Sequence, residues 1–293
     1  MSVFKNEAAR QVLSDWYDRF VLEIEKIHPV SFAQVETTAG PTNVLVTGPE
    51  AAPKLLCFHG AMGSAPSALF LIRSLVPHFR IHFPDTVGQP GRSAETPLAL
   101  RGDAYAIWAR EVIDGLGLDR VCCLGVSMGG YIALKLAEHH PERIERLSLW
   151  VPGGLVNGRP LDSMGLAGAM LLLYLWPGSD WAFEQLARRL FTDRDTLYLD
   201  YYRDAMANLH MDRRMPELAS DGAFAGLVAP VQLFANGQDV LFPADALVAR
   251  AERVFPNLVQ ARVFSEMRHV PPFDEHAVRE PLQAIRSFLR GVP

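Results

Sequence analysis

Apolar positions between residues 7 and 27 recur at three- and four-residue spacing (Val12, Leu13, Trp16, Phe20, Ile24, Ile27). That period predicts an amphipathic helix, which His28-Pro29 closes. Residues 31–37 and 42–47 then alternate as two strands joined through Ala39-Gly40-Pro41, a hairpin suited to a sheet edge. After Pro53 short apolar runs (54–58, 79–83, 121–126, 146–151) take turns with helical periods (67–76, 98–114, 132–140). The run 121–126, Val-Cys-Cys-Leu-Gly-Val, shows no alternation, as expected of a strand buried on both faces. Strands and helices taken in turn with short connections predict βαβ units and a parallel sheet flanked by helices.

The alternation stops at Gly153-Gly154. Residues 155–226 hold helical patterns rich in Leu, Met, Tyr and Trp but no clear strand, and then strands at 230–235 and 258–264 and helices at 245–254 and 275–290 resume the earlier order. The predicted organisation is an α/β core of residues 1–154 and 227–293, opened by the helix 7–27, with residues 155–226 inserted into it. No internal repeat or low-complexity segment interrupts this plan.

Charge and composition narrow the function classes. With 28 Lys plus Arg against 33 Asp plus Glu, the net charge is −5, and no basic run exists to bind a nucleic-acid backbone. A hydrophobic fraction of 49% against 21% charged excludes general disorder. Cys57, Cys122 and Cys123 lie in apolar runs and read as small buried hydrophobes, with no CxxC or Cys/His cluster to hold a metal. The start MSVFKNEAAR lacks the basic and apolar regions of a secretory signal. The most apolar stretch, 164–176, falls short of the roughly 20 residues that span a bilayer. A soluble cytoplasmic protein without membrane, nucleic-acid or cofactor partners is expected; the pattern leaves monomer and homodimer open.

The strongest chemical signal is Gly125-Val126-Ser127-Met128-Gly129-Gly130, a G-x-S-x-G motif between a buried strand and a helix. A serine at such a sharp turn is held in a strained conformation, and Gly125 and Gly129 remove the clashes that bulkier neighbours would bring. The helix that follows offers free N–H groups and its positive dipole end to a developing oxyanion. The alternative is a Gly-rich turn that happens to contain serine. A serine hydroxyl needs a base. Loops after the strands of a doubly wound sheet converge on one edge, so the base belongs on such a loop. His269 follows the last strand and is favoured over His276, while His28, His78, His82, His139 and His140 fall at element ends or surfaces. Asp239, after the strand 230–235, is the favoured acid; Asp245 reads as a helix cap. The chain order Ser127, Asp239, His269 is that of one of three unrelated serine-triad arrangements.

These motifs make the chain resemble the α/β-hydrolase superfamily over residues about 42 to 290, and in particular capped bacterial carboxylesterases, which also begin with a helix and an edge hairpin. The resemblance implies a mostly parallel sheet of about eight strands with a helical cap inserted after strand 6, here residues 155–226. It makes His59-Gly60-Ala61-Met62-Gly63-Ser64 the oxyanion loop, with the backbone N–H groups of Ala61 and Met128 as the hole, Gly60 as a motif glycine and His59 structural. The family's D-x-x-G-x-G-x-S loop corresponds to Asp85 through Ser93, with one extra residue between its glycines. Where the family has Gly three residues before the acid, this chain has Asn236, which also tolerates left-handed backbone. The cap's Met164, Leu166, Met170, Leu171, Leu173, Tyr174, Leu175, Trp176 and Trp181 would roof Ser127 and favour small apolar ester substrates.

The expected activity is ester hydrolysis by a Ser127–His269–Asp239 triad through an acyl-enzyme. Carbon–carbon hydrolases of the same fold often carry Trp after the histidine, where this chain has Val270. Aminopeptidases need cap carboxylates, for which Glu184, Asp200 and Asp204 are candidates. A non-catalytic binding member typically lacks a triad residue, and none is missing here.

Overall fold

The computed structural model describes residues 2–158, 168, 179–193, 196–210, 212 and 214–292. Helix α1 (Glu7–Glu25) opens on Asn6, whose side chain accepts the Ala9 N–H, an N-cap that satisfies one of the helix's orphan donors. Its buried face includes Leu13, Tyr17, Phe20, Val21 and Ile24. Ile27, expected on that face, lies beyond the helix end and is exposed. The hairpin β1 (Val30–Thr37) and β2 (Gly40–Thr47) turns through Gly40, whose φ of 103° suits glycine.

Then come β3 (Lys54–Phe58), α2 (Ala65–Ile72), β4 (Arg80–Pro84), α3 (Ala104–Gly115), β5 (Val121–Val126), α4 (Met128–His139) and β6 (Ile144–Trp150). Helix α2 is shorter than the sequence period suggests: Ser64 and Pro66 start it early, and a 3₁₀ stretch containing Pro77 takes over at Arg73. Helix α4 starts directly after Ser127, four residues ahead of the expected 132.

Between β6 and β7 the described residues form α5 (Asp180–Leu190) and α6 (Thr196–Asn208). The core closes with β7 (Val231–Asn236), α7 (Ala244–Val254), β8 (Leu258–Phe264) and α8 (Arg279–Arg290). Helix α8 begins after 275, because the Asp274 carboxylate takes the N–H groups of His276 and Ala277 into a separate turn.

The strands form one sheet in the order β1-β2-β4-β3-β5-β6-β7-β8, antiparallel at the β1/β2 and β2/β4 pairs and parallel from β4 to β8. Strand β5 lies at its centre, and its residues are buried up to the half-buried Val126. The C-terminal ends of β3, β5, β7 and β8 therefore share one edge, where loops of this architecture gather ligands. Among the described residues, no helix is long and apolar enough to cross a membrane.

Candidate active site

At the end of β5 the backbone of Ser127 has φ 54° and ψ −115°, a rare conformation for a side chain larger than glycine's. The surrounding frame holds it there: Ser127 N–H donates to Trp150 O at 3.0 Å, and Ser127 O accepts from Gly153 and Tyr131. The glycines are required by space. A Cβ on Gly129 would stand 2.0 Å from Phe58 O, and one on Gly125 2.6 Å from Gly129 O. Gly130 is equally constrained, by Pro152 at 2.6 Å. At Gly60 a Cβ would stand 3.6 Å from Ser127 Cβ, so glycine there keeps the space before the serine open.

Ser127 Oγ lies 2.9 Å from His269 Nε2, and His269 Nδ1 lies 2.8 Å from Asp239 Oδ2. With the proton on Nδ1 donated to the carboxylate, Nε2 is left to accept the serine hydroxyl. The second oxygen of Asp239 accepts the N–H groups of Leu241 (2.7 Å) and Phe242 (3.1 Å). The Asp239 side chain is fully buried, and these bonds compensate a carboxylate that burial would otherwise penalise. His276 is exposed on the turn before α8, bonded to Arg279. Asp245 stands in the first turn of α7 rather than at its cap, which is Pro243. There its charge suits the positive end of the helix dipole.

The loop after β3 is fixed from several sides. His59 is buried, and its ring bonds Gly60 O and the Thr86 N–H. Burial pulls its pKa down, so the ring is neutral and Nε2 can accept from Thr86. Met62, at φ 60°, gives its N–H to Gln89 Oε1 at 2.8 Å, while its carbonyl accepts the Tyr201 hydroxyl at 2.6 Å. Among the described residues, the Ala61 and Met128 N–H groups have no acceptor. The 85–93 loop folds about Asp85, whose buried carboxylate accepts from Ala65 N, Arg92 N, Asn43 Nδ2 and Tyr17 Oη. The Tyr17 hydroxyl is pushed well above its usual pKa by burial and by that carboxylate.

A cavity of about 180 Å³ opens onto Ser127 and His269. Its walls are apolar: Ala68, Leu71 and Ile72 from α2, Tyr198, Tyr202 and Met206 from α6, and Val270 and Phe273 beyond the histidine are among them. Among the described lining residues none is Lys, Arg, Asp or Glu. Of the roof expected from the sequence, Met164, Leu166, Met170, Leu171, Leu173, Tyr174, Leu175 and Trp176 lie outside the described residues. Trp181 is 62% exposed and does not line the cavity, because it lies on the face of α5 opposite Phe183, Leu186 and Ala187. Glu184, Asp200 and Asp204 do not line it either; they meet Arg188, Arg203 and the Trp16 indole.

Sequence reasoning missed the side-chain role of Asn236. Its backbone is not left-handed; its buried amide accepts from Trp150 Nε1 and donates to Arg268 O at 2.6 Å. It also missed Gln89 and Tyr201. For Gln89 the extra residue in the 85–93 loop was the available signal; nothing in the helical pattern marked Tyr201. His82, expected at a surface, is buried within β4.

A family model described as alpha/beta hydrolase fold matches residues 53–200. Carboxylesterase YbfK of Bacillus subtilis is 22% identical over 264 residues, covering 88% of this chain and 87% of its own. Its crystal structure superposes with a TM-score of 0.79 at 21% identity, over 98% of this chain and 100% of that one. The naproxen esterase of the same organism superposes with a TM-score of 0.74 at 19% identity, over 95% and 98%. A 2-hydroxy-6-oxononadienedioate/2-hydroxy-6-oxononatrienedioate hydrolase of Pseudomonas putida is 27% identical over 219 residues, covering 67% of this chain and 75% of its own.

Proposed function

Because the chain belongs to the α/β-hydrolase fold family, we propose that it is a carboxylesterase-type serine hydrolase. The observation that carries this reading is the unbroken hydrogen-bonded chain from Ser127 Oγ through the His269 ring to the buried Asp239 carboxylate. Ser127 Oγ attacks the ester carbonyl carbon as its proton passes to His269 Nε2. The carbonyl oxygen becomes an oxyanion between the N–H groups of Ala61 and Met128, donors already oriented before the charge develops. The C–O bond to the alcohol then breaks, and the imidazolium returns the proton to the leaving oxygen. Water, deprotonated by the same Nε2, attacks the acyl-enzyme and restores Ser127. Asp239 keeps the proton on Nδ1 and stabilises the imidazolium.

The apolar lining suits an uncharged acyl group. Residues 155–226 serve as the cap, with α6 supplying one wall of the cavity. The Pseudomonas putida relative keeps carbon–carbon hydrolysis as a second reading. A dienedioate carries two carboxylates, and among the described lining residues there is no Lys or Arg to pair with them. Among the described lining residues there is likewise no carboxylate to hold the amine of an aminopeptidase substrate.

The test is a panel of p-nitrophenyl esters, p-nitroanilides and vinylogous 1,5-diketones, with wild type and Ser127→Ala. Ester turnover should dominate, and Ser127→Ala should lower kcat by about 10⁴-fold or more with the fold retained. Turnover of the diketones alone would overturn the esterase reading. Retention of more than about a tenth of the ester activity in Ser127→Ala would remove this serine from the mechanism.

A further inference from the structure

The loop that carries His269 is held from two sides. On the core side Asn236 Nδ2 donates to Arg268 O at 2.6 Å, and Gln238 N to Met267 O at 2.9 Å. On the other side the end of α5 runs beside it as a single parallel bridge, Phe191 paired with Val270. Val270 N donates to Leu190 O at 2.7 Å, and Thr192 N to Val270 O at 3.0 Å. The Thr192 hydroxyl completes the bracket. Its Oγ1 accepts the Arg268 N–H at 3.0 Å and donates to Val270 O at 2.7 Å. One hydroxyl thus ties the residue before His269 to the residue after it.

We propose that Thr192 is a positioning residue for His269, an inference that rests on His269 being the base of the proposed reaction. The segment 265–273 has no helix or strand of its own to fix its backbone. Placement of Nε2 against Ser127 Oγ must therefore come from bonds to neighbouring elements, and a useful base tolerates displacement of only about 0.5 Å. A hydroxyl can accept and donate at once, which the bracket requires. Valine has the same shape and does neither. Phe183, Ala187 and Phe191 form an apolar cluster against which Val270 packs, so the bracket is anchored to α5. The inserted segment is then part of the frame of the base as well as a wall of the cavity.

Thr192→Val and Thr192→Ser test this with p-nitrophenyl ester kinetics, fluorophosphonate labelling and the low-field proton NMR signal of His269 Nδ1–H. In Thr192→Val, kcat should fall about tenfold with KM within about twofold. The labelling rate should fall by the same factor while the final labelled fraction equals that of wild type. The Nδ1–H signal should shift or broaden, and Thr192→Ser should restore rate and signal. Wild-type kcat and signal in Thr192→Val would overturn the proposal. So would a loss confined to the labelled fraction, since that is unfolding rather than misplacement. If Thr192→Val does not fold, Thr192→Ser decides, and a serine variant below about a tenth of the wild-type kcat overturns it. A wild type that neither hydrolyses esters nor labels would instead defeat the functional reading, and the NMR signal would still decide the role of Thr192.

Discussion

The turn that holds Ser127 and the loop that holds His269 reach the same sheet edge by different means. The serine turn is specified over a handful of adjacent residues. Gly125 and Gly129 clear the space that the turn needs, a buried strand leads in, and α4 begins at the next residue. The histidine loop has no such local code. Its partners stand at Ser127, 142 residues away, at Asp239, 30 away, and at Asn236 and Thr192, which grip the adjacent Arg268. A local glycine pattern permits the turn of the proposed nucleophile, with Trp150 and Gly153 holding it in place, whereas the loop of the proposed base depends on long-range hydrogen bonds. Substitutions near the histidine should accordingly act through orientation, and those near the serine through the fold itself.

The sharpest way to break the contrast is at Asp239, the proposed acid. Asp239→Asn should lower kcat by about 10²–10⁴-fold, because an amide facing Nδ1 favours the wrong imidazole tautomer. Asp245→Asn, in the first turn of α7, should change kcat less than about twofold; steady-state kinetics on one ester distinguishes them. A reversal of the two effects would place the acid at 245.

A smaller effect is expected at Asn236, which lies beneath the histidine loop. Asn236→Ala leaves Trp150 Nε1 and Arg268 O without these partners. Urea titration should show about 1–3 kcal/mol of lost stability. The same variant should lose about tenfold in kcat through a displaced His269. Lost stability with wild-type kcat would show that the core-side bonds are dispensable for orientation.

The last effect is a pH dependence of stability set within β4, two strands away from β5. His82, buried in β4, has its pKa pulled down to about 4, first by burial and then by Arg80 and Lys54. The unfolded chain takes up that proton at about pH 6.5, the folded chain only near the lower value. Its contribution is therefore present above about pH 6.5 and lost as pH falls toward 4, by at most about 1.4 kcal/mol per pH unit. Burial shifts His59 in the same direction. Urea midpoints at pH 7, 6 and 5 should thus fall for wild type and fall less for His82→Asn. Parallel curves for the two proteins would contradict the assignment.

How much of this was legible follows the same division. The order of strands and helices could be read because apolar periodicity is a local property, and the bounds of β3, β5 and β8 agree with the runs 54–58, 121–126 and 258–264. Ser127 was legible because the glycines that permit its backbone are its near neighbours. His269 and Asp239 could be nominated from their places after β8 and β7, since a parallel sheet brings such loops to one edge. Their hydrogen bonds could not be read, because nothing between residues 239 and 269 encodes a distance.

What the chain determined by itself is the layered α/β plan, the turn at Ser127 and a short set of partners for it. The tertiary structure decided that Tyr17 rather than Ile27 is buried, that Trp181 faces outward, and that Asn236 works through its side chain rather than its backbone. It alone set Gln89 and Tyr201 on the Met62 peptide groups and Thr192 on either side of His269. The physical reason is range. Periodicity and backbone sterics act between neighbours in the chain, whereas a hydrogen bond needs a partner that only the completed packing delivers.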